Sequence, residues 1–309
     1  MPAIHQRLAK LLAKCFRLEQ WGIGWAQADI MEFIDQPHSI FFQWFAPRDL
    51  RTFLADPFIV RIQGRPFILA EKLVRGSHGQ IVLMDPEDPE KQRLLLSKRW
   101  HLSYPFIVRD GDTQWIVPEQ GASNSVGFYR WEADGRLSEQ ASHGLPDCDA
   151  LDSTFLFHEG RWWMFSTRMH GASPHGPLLL HFADRLTGPY EPHPANPIQT
   201  DLARSRPAGR IISRNGRLIR PAQDCSGTYG AAIVLNEITR LTPEAYEEQV
   251  IARIEPKHIQ GAFPDGSHHI DHAEGWIVID SKRFVWHPLA WWYKFKSRWG
   301  CAGRAGRSA

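Results

Sequence analysis

Three stretches of this 309-residue chain superpose without a gap, and their starts lie 48 residues apart, twice over: Asp56 to Glu71, Tyr104 to Glu119 and Asp152 to Thr167. Each is an apolar run, a turn at Gly64, Gly111-Asp112 or Gly160, and a second apolar or aromatic run. That order predicts a β-hairpin. A fourth copy runs from Ala208 to Gln223 around Gly216, and a fifth from Ser267 to Lys282 around Gly275. Further strand-like stretches follow the hairpins, such as Gln80 to Met84 and Val126 to Trp131. A period of about 45–50 residues holding three or four short strands is the signature of a propeller blade. An irregular β-sandwich, the competing architecture, has no reason to keep a fixed offset. The chain therefore reads as all-β, a five-bladed β-propeller over 21–286, which leaves no room for a second domain.

Composition agrees where it bears on the fold. Thirteen Trp and seventeen Phe against five Met, punctuated by 24 Gly and 22 Pro, suit short aromatic strands better than long helices. No apolar run reaches the length of about 18 residues that a membrane-spanning helix needs, and the N-terminus lacks the apolar core of a secretory signal. The expected location is the cytoplasm. Cys15, Cys148, Cys225 and Cys301 are scattered without zinc-type spacing and read as free thiols.

Two segments flank the predicted propeller. In 1–20, Leu8, Leu11, Leu12, Cys15, Phe16 and Leu18 fall at helical spacing opposite Arg7, Lys10, Lys14 and Arg17, which predicts a short basic amphipathic helix. In 287–309, tryptophans mix with lysine and arginine. From Ser281 onward there are seven Lys and Arg and no acid, so residues 1–280 carry −5 of the total +2. Such a tail suits either lipid headgroups at the inner face of a membrane or closure of the ring onto blade one.

In a propeller the innermost strand of each blade faces the central channel, so equivalent residues of the repeat become neighbours. The inner strands begin at Asp56, Tyr104, Asp152, the turn Arg206-Pro207-Ala208 and Ser267-His268. The second strands end at Glu71, Glu119, Thr167, Gln223 beside Asp224, and Lys282. Asp56, Glu71, Glu119 and Asp152 are thus expected in one funnel, with Asp224 a fifth candidate and Tyr104, Arg206, Gln223 and His268 as substrate-binding groups. Carboxylates this close raise one another's pKa, which is how a carboxylic acid stays protonated near neutral pH. Singly, Asp56 and Asp152 read equally well as turn caps, Glu71 and Glu119 as solvated strand ends, and His268 as a satisfied core histidine.

Ala55 to Ile59 resembles the blade-one signature of the five-bladed propeller glycosidases of glycoside hydrolase family 43, and Leu151 to Phe155 their blade-three signature. The resemblance implies Asp56 as general base, Asp152 as the group that orients and tunes the acid, and His268 as the channel histidine of blade five. Nearly the whole chain is similar to the propeller domain at the N-terminus of plant glucosamine inositolphosphorylceramide transferases and its bacterial relatives. That likeness rests on Trp21 to Gly24, Glu71-Lys72, His158 to Trp163, Ala183 to Tyr190, His193 to Ile198 and Arg220 to Gly230. One departure matters. Where the hydrolases place the proton-donating Glu, at the inner strand of blade four, this chain reads Ala203-Arg204-Ser205-Arg206-Pro207-Ala208-Gly209. Arginine cannot donate a proton at neutral pH; the favoured expectation is a glycosidase-like enzyme acting on an anionic or cell-surface glycan with Glu119 or Glu71 as the acid, and the alternative is a non-catalytic glycan-binding or accessory module in polysaccharide or glycolipid biosynthesis.

Arg204, Arg206, Arg210, Arg214, Arg217 and Arg220 crowd blade four, and strand alternation would put several on one face. The guanidinium fork matches carboxylate and phosphate, so an anionic glycan is the expected partner unless this is a solvated basic strand. Nucleic acid is not expected, because the body is net acidic. There is no phosphate-cradling glycine loop and no GxSxG elbow, so no cofactor is expected. The run His268-His269-Ile270-Asp271-His272 has metal-ligand residue types, but alternation sends neighbours to opposite faces, and no metal is expected there.

Overall fold

A computed structural model describes residues 15–123, 125–132, 135–140, 150–168 and 175–293. Its strands form five antiparallel sheets, one per blade. Blade one is Thr52–Ile62, Arg65–Val74, Gln80–Asp85 and Asp88–Leu96; blade two is Ser103–Asp110, Thr113–Glu119, Phe128–Trp131 and Leu137–Gln140. Blade three is Ala150–His158, Arg161–Arg168, Leu178–Ala183 and Glu191–Pro192. The 48-residue offset is therefore the blade repeat.

Blade four departs from the pattern. Its inner strand is broken into Arg206–Pro207 and Ile212–Arg214, both paired with Arg217–Asp224, and Ala232–Leu241 and Tyr246–Ile254 complete the sheet. The break falls at Gly209, where φ is 122° and an added Cβ would lie 1.8 Å from the Ile270 carbonyl oxygen of blade five. Only glycine tolerates that approach.

Blade five is closed from the other end of the chain. Ile270–Ala273 and Trp276–Trp286 are followed outward by Arg17–Gln27 and Gln43–Phe45. Eleven consecutive pairs, Arg17 with Trp286 through Gln27 with Trp276, tie the N-terminal strand in place. This moves only the end of the helix expected over 1–20: Cys15 and Phe16 are helical, and the strand begins at Arg17. Arg17 and Leu18 belong to a strand, because pairing along all eleven residues outweighs the weak local preference of one terminal turn; residues 1–14 lie outside the described part. The ring closes within blade five, where Trp276–Trp286 pairs with Arg17–Gln27. After Trp286 the chain makes one helical turn, residues 290–293, and 294–309 lie outside the described part.

The core lies between blades. Phe58, Phe106, Phe128 and Phe155 meet at centroid distances of 5.5–5.7 Å across blades one to three, while Ile219, Ile233, Ile277 and Ile279 pack blades four and five. Burying each such side chain stabilises the fold by about 1.5–3 kcal/mol.

Three of the aligned residues share an unusual backbone. Asp56, Tyr104 and Asp152 have φ of 51°, 43° and 50°, and each sits at a bulge that shifts the register of its inner strand. A left-handed conformation costs a non-glycine residue about 1–2 kcal/mol, and the bulge turns the side chain into the channel. Each bulge N–H finds a carboxylate from an adjoining blade: Asp56 donates to Asp280, Tyr104 to Asp56 and Asp152 to Glu119, all at 3.2 Å. The carboxylates of the channel thus hold the strained inner strands together as well as lining the site.

Candidate functional site

At the centre of the ring the structure brings together Asp56, Glu119, Asp152, Arg206, Gln223 and His268, all with side chains largely withdrawn from solvent. Arg206 Nε lies 2.5 Å from Asp152 Oδ2, and its Nη2 is 3.7 Å from Glu119 Oε2. Gln223 adds a hydrogen bond to the same Asp152 oxygen at 3.1 Å. Tyr104 serves as floor: its hydroxyl contacts Thr154 Oγ1 at 2.6 Å and accepts from the Gly209 N–H at 2.8 Å. Asp224 faces elsewhere, with its carboxylate taken by Arg253 and by the backbone and hydroxyl of Ser226.

Sequence reasoning missed Asp280. Its carboxylate accepts the backbone N–H groups of His268 and His269 at 2.9 and 3.0 Å and sits 2.6 Å from His268 Nδ1. Burial opposes charge on His268, yet the Asp280 anion outweighs it and holds the imidazole pKa above its usual value. The same pairing holds Asp280 below the carboxylate range in spite of its burial. His269, neutral by burial, is pushed down to about 4.

The remaining acids bear the cost of crowding. Burial raises the Asp56 carboxyl to about 8; the His268 cation works against the rise, and Glu71, Asp152 and Asp280 add to it. Burial and then Asp152 push Glu119 well above its ordinary value despite Arg206. Asp56 therefore keeps its proton at neutral pH.

Above this layer a cavity of about 200 Å³ opens to solvent, lined among others by Glu19, Trp21, Glu71, His101, Tyr229 and His268. One buried oxygen of Glu71 makes no well-formed hydrogen bond, and its nearest cation is His101 Nε2 at 3.2 Å. Burial opposes the charge on His101, but Glu71 raises that imidazole to about 9. Trp21 lies along the His268 ring at 4.1 Å between centroids. Tyr229 meets the His268 ring edge-on at 5.2 Å. Its loop is pinned by buried Lys282, which donates to the Tyr229 carbonyl, and by Gly230, where a Cβ would stand 2.5 Å from that of His268. A larger groove of about 370 Å³ on blade three, beside Arg161 and Arg185, shares none of these residues.

The arginines of blade four are balanced from within. Arg204 meets Asp201, Arg210 meets Asp271, Arg214 meets Asp29, Arg217 meets Glu237, and Arg220 meets Glu248. With Arg206 on Asp152, all six have a carboxylate partner. A guanidinium packed between blades must bring its counter-ion with it. Among the described residues, Asp56, His268 and Asp280 are the ligand-type side chains close enough to share an ion, with donor atoms within 4.8 Å of one another. The His268–Asp280 contact already balances two of the three charges. His269 instead packs its ring on Phe58 and Tyr104, and Asp271 pairs with Arg210.

Residues 48–278 match the family described as glucosamine inositolphosphorylceramide transferase 1, N-terminal. A protein of that name from Oryza sativa subsp. indica is 31% identical over 245 residues, which cover 74% of this chain and 33% of the rice protein. The Arabidopsis thaliana protein of the same name is 29% identical over 207 residues, 64% of this chain and 27% of its own length. The chain thus spans about a third of the rice relative and less of the Arabidopsis one. Among solved structures, a family-43 β-1,3-galactosidase with galactodeoxynojirimycin aligns over 69% of this chain and 84% of its own, with a TM-score of 0.50 and 10% identity. The two share the five-bladed propeller fold.

Proposed function

We propose that this chain, which belongs to the family of glucosamine inositolphosphorylceramide transferase 1 N-terminal domains, is a glycan-recognition module whose funnel holds a sugar without cleaving it. The observation that supports this reading most is Arg206. It stands where the likeness to the hydrolases places a proton-donating Glu, and its Nε lies 2.5 Å from Asp152. A guanidinium keeps its protons at neutral pH, and the carboxylate that would orient an acid is neutralised by it. The cavity suits a single sugar ring: Glu71 offers acceptors to hydroxyl groups, and Trp21 and Tyr229 offer apolar edges. An accessory role in polysaccharide or glycolipid assembly agrees with the name of the relatives, of which this chain matches about a third.

Calorimetric titration with a panel of monosaccharides and oligosaccharides tests the reading. Glu71→Gln is expected to weaken binding of the best ligand about tenfold, which is about 1.4 kcal/mol, with little change in the urea midpoint. Sugar release by the parent over a long incubation, abolished by Asp56→Asn, would overturn it in favour of hydrolysis. That second reading has one observation behind it: burial raises the Asp56 carboxyl to about 8, so that near neutral pH it holds the proton a general acid must give. It leaves Glu71 as the candidate base, since a protonated Asp56 cannot activate water.

A further inference from the structure

The two ends of the described chain leave the propeller side by side. Arg17 pairs with Trp286, and the His287 N–H donates to the Phe16 carbonyl at 2.8 Å. This edge belongs to the mouth of the funnel, because Glu19 and Trp21 of the same strand line its cavity. In the turn that follows, Ala290 points inward, while Trp286, Leu289, Trp291 and Trp292 expose 59%, 48%, 50% and 40% of their surface. The rings of Trp291 and Trp292 lie 5.8 Å apart. Four large apolar side chains within seven residues form a patch that a self-sufficient soluble surface seldom carries.

The chain on either side of this patch is basic. Residues 1–14 contain Arg7, Lys10 and Lys14, residues 294–309 contain Lys294, Lys296, Arg298, Arg304 and Arg307, and neither segment has an acidic residue. Pairing of Arg17 with Trp286 means that both segments start from one rim, a juxtaposition that about 270 residues of intervening sequence conceal.

We propose that this rim docks on an anionic lipid bilayer, with the tryptophans at the headgroup level, the basic segments on the charged surface, and the funnel mouth turned toward the membrane. Tryptophan with lysine and arginine is the combination that partitions to a lipid interface. A second copy of the chain would bring eight like charges onto eight others, and nucleic acid would leave the apolar side chains without a partner. The net acidic remainder of the chain is repelled by the same surface, which fixes the orientation.

Co-sedimentation of the full chain with vesicles of phosphatidylcholine, with and without phosphatidylserine, tests this. The chain should pellet with the serine-containing vesicles and lose most of that binding as salt is raised. Trp291→Ser with Trp292→Ser should cut the bound fraction about tenfold, and Lys294→Gln, Lys296→Gln and Arg298→Gln together should cut it comparably. Binding to neutral vesicles as strongly, no binding by the parent, or unchanged binding by either folded variant would overturn the proposal. So would a dimer on gel filtration that the tryptophan substitutions abolish. Glu71→Gln should bind vesicles as the parent does, so a failed glycan reading would leave this proposal standing.

Discussion

Blade four buries two arginines, and they do opposite things. Arg220, 1% exposed, forks onto one partner: Nε to Glu248 Oε2 at 2.9 Å and Nη2 to Oε1 at 2.8 Å, with Tyr246 donating to the same carboxylate at 2.6 Å. One charge answers one charge inside a single sheet, and the Glu248 carboxyl is held low in spite of its burial. Arg206 reaches into the channel toward Asp152 and Glu119, which come from two other blades. Burial in that channel raises the Asp56 carboxyl to about 8 and lifts Glu119 well above its ordinary value in spite of Arg206. The lesson is that burial of a cation says little; a closed pair is structural, and an unbalanced one leaves chemistry behind.

Breaking the closed pair should have the largest effect. Arg220→Met leaves Glu248 buried and alone and is expected to lower stability by about 3–5 kcal/mol in urea unfolding. Pairing it with Glu248→Leu should recover most of the loss; failure to do so would mean that the fork is not what matters. Arg206→Met should cost less, about 1–3 kcal/mol, because Glu119, whose pKa burial already lifts, can take up a proton. Its cost should shrink on acidification, and a cost independent of pH would place Arg206 in the same class as Arg220.

Asp56 sharpens the same contrast through pH. Its carboxyl rises from about 3.9 in an unfolded chain to about 8 in the fold, so the folded state holds a proton that the unfolded state releases. The stability it contributes is complete below about pH 4 and is lost as pH rises through 8. Asp56→Asn, which cannot ionise, should therefore gain on the parent between about pH 4 and 8, and a constant difference between the two unfolding midpoints would show that the fold does not raise the Asp56 pKa. The smallest effect belongs to the rim: Arg214→Ala removes a half-exposed pair with Asp29 and should change stability by less than about 0.5 kcal/mol.

The hairpins were legible because each blade must reverse at a glycine and bulge at the channel, and both events recur every 48 residues in Asp56, Tyr104 and Asp152. Closure of blade five was not, because Arg17 and Leu18 continue a helical spacing and their strand partners lie at the far end of the sequence. Asp280 left a signal that went unread. In the aligned repeat it occupies the place of Leu69, Val117 and Phe165, and an acid at a position that is otherwise apolar must have a buried partner. Asp271 stands likewise against Val60, Val108 and Leu156, and it accepts the Ile59 N–H at 2.9 Å from blade one. His101 and Tyr229 lie in connections outside the repeated hairpin, where the offset carries no information. The arginines were legible as a residue type, but their counter-ions were not, because these come from blades three and five, a loop and outer strands.

The strand Arg17–Gln27 emerges from the ribosome about 250 residues ahead of its partner Trp276–Trp286. At synthesis rates of about 5–20 residues per second the wait is on the order of 13–50 s. Throughout it, blades one to four can assemble while the ring stays open and an early strand presents an unpaired edge, the kind that invites pairing with other chains. Birth order thus makes the last sheet the latch, and a nascent chain released before residue 276 would lack the half of blade five that holds its own beginning in place.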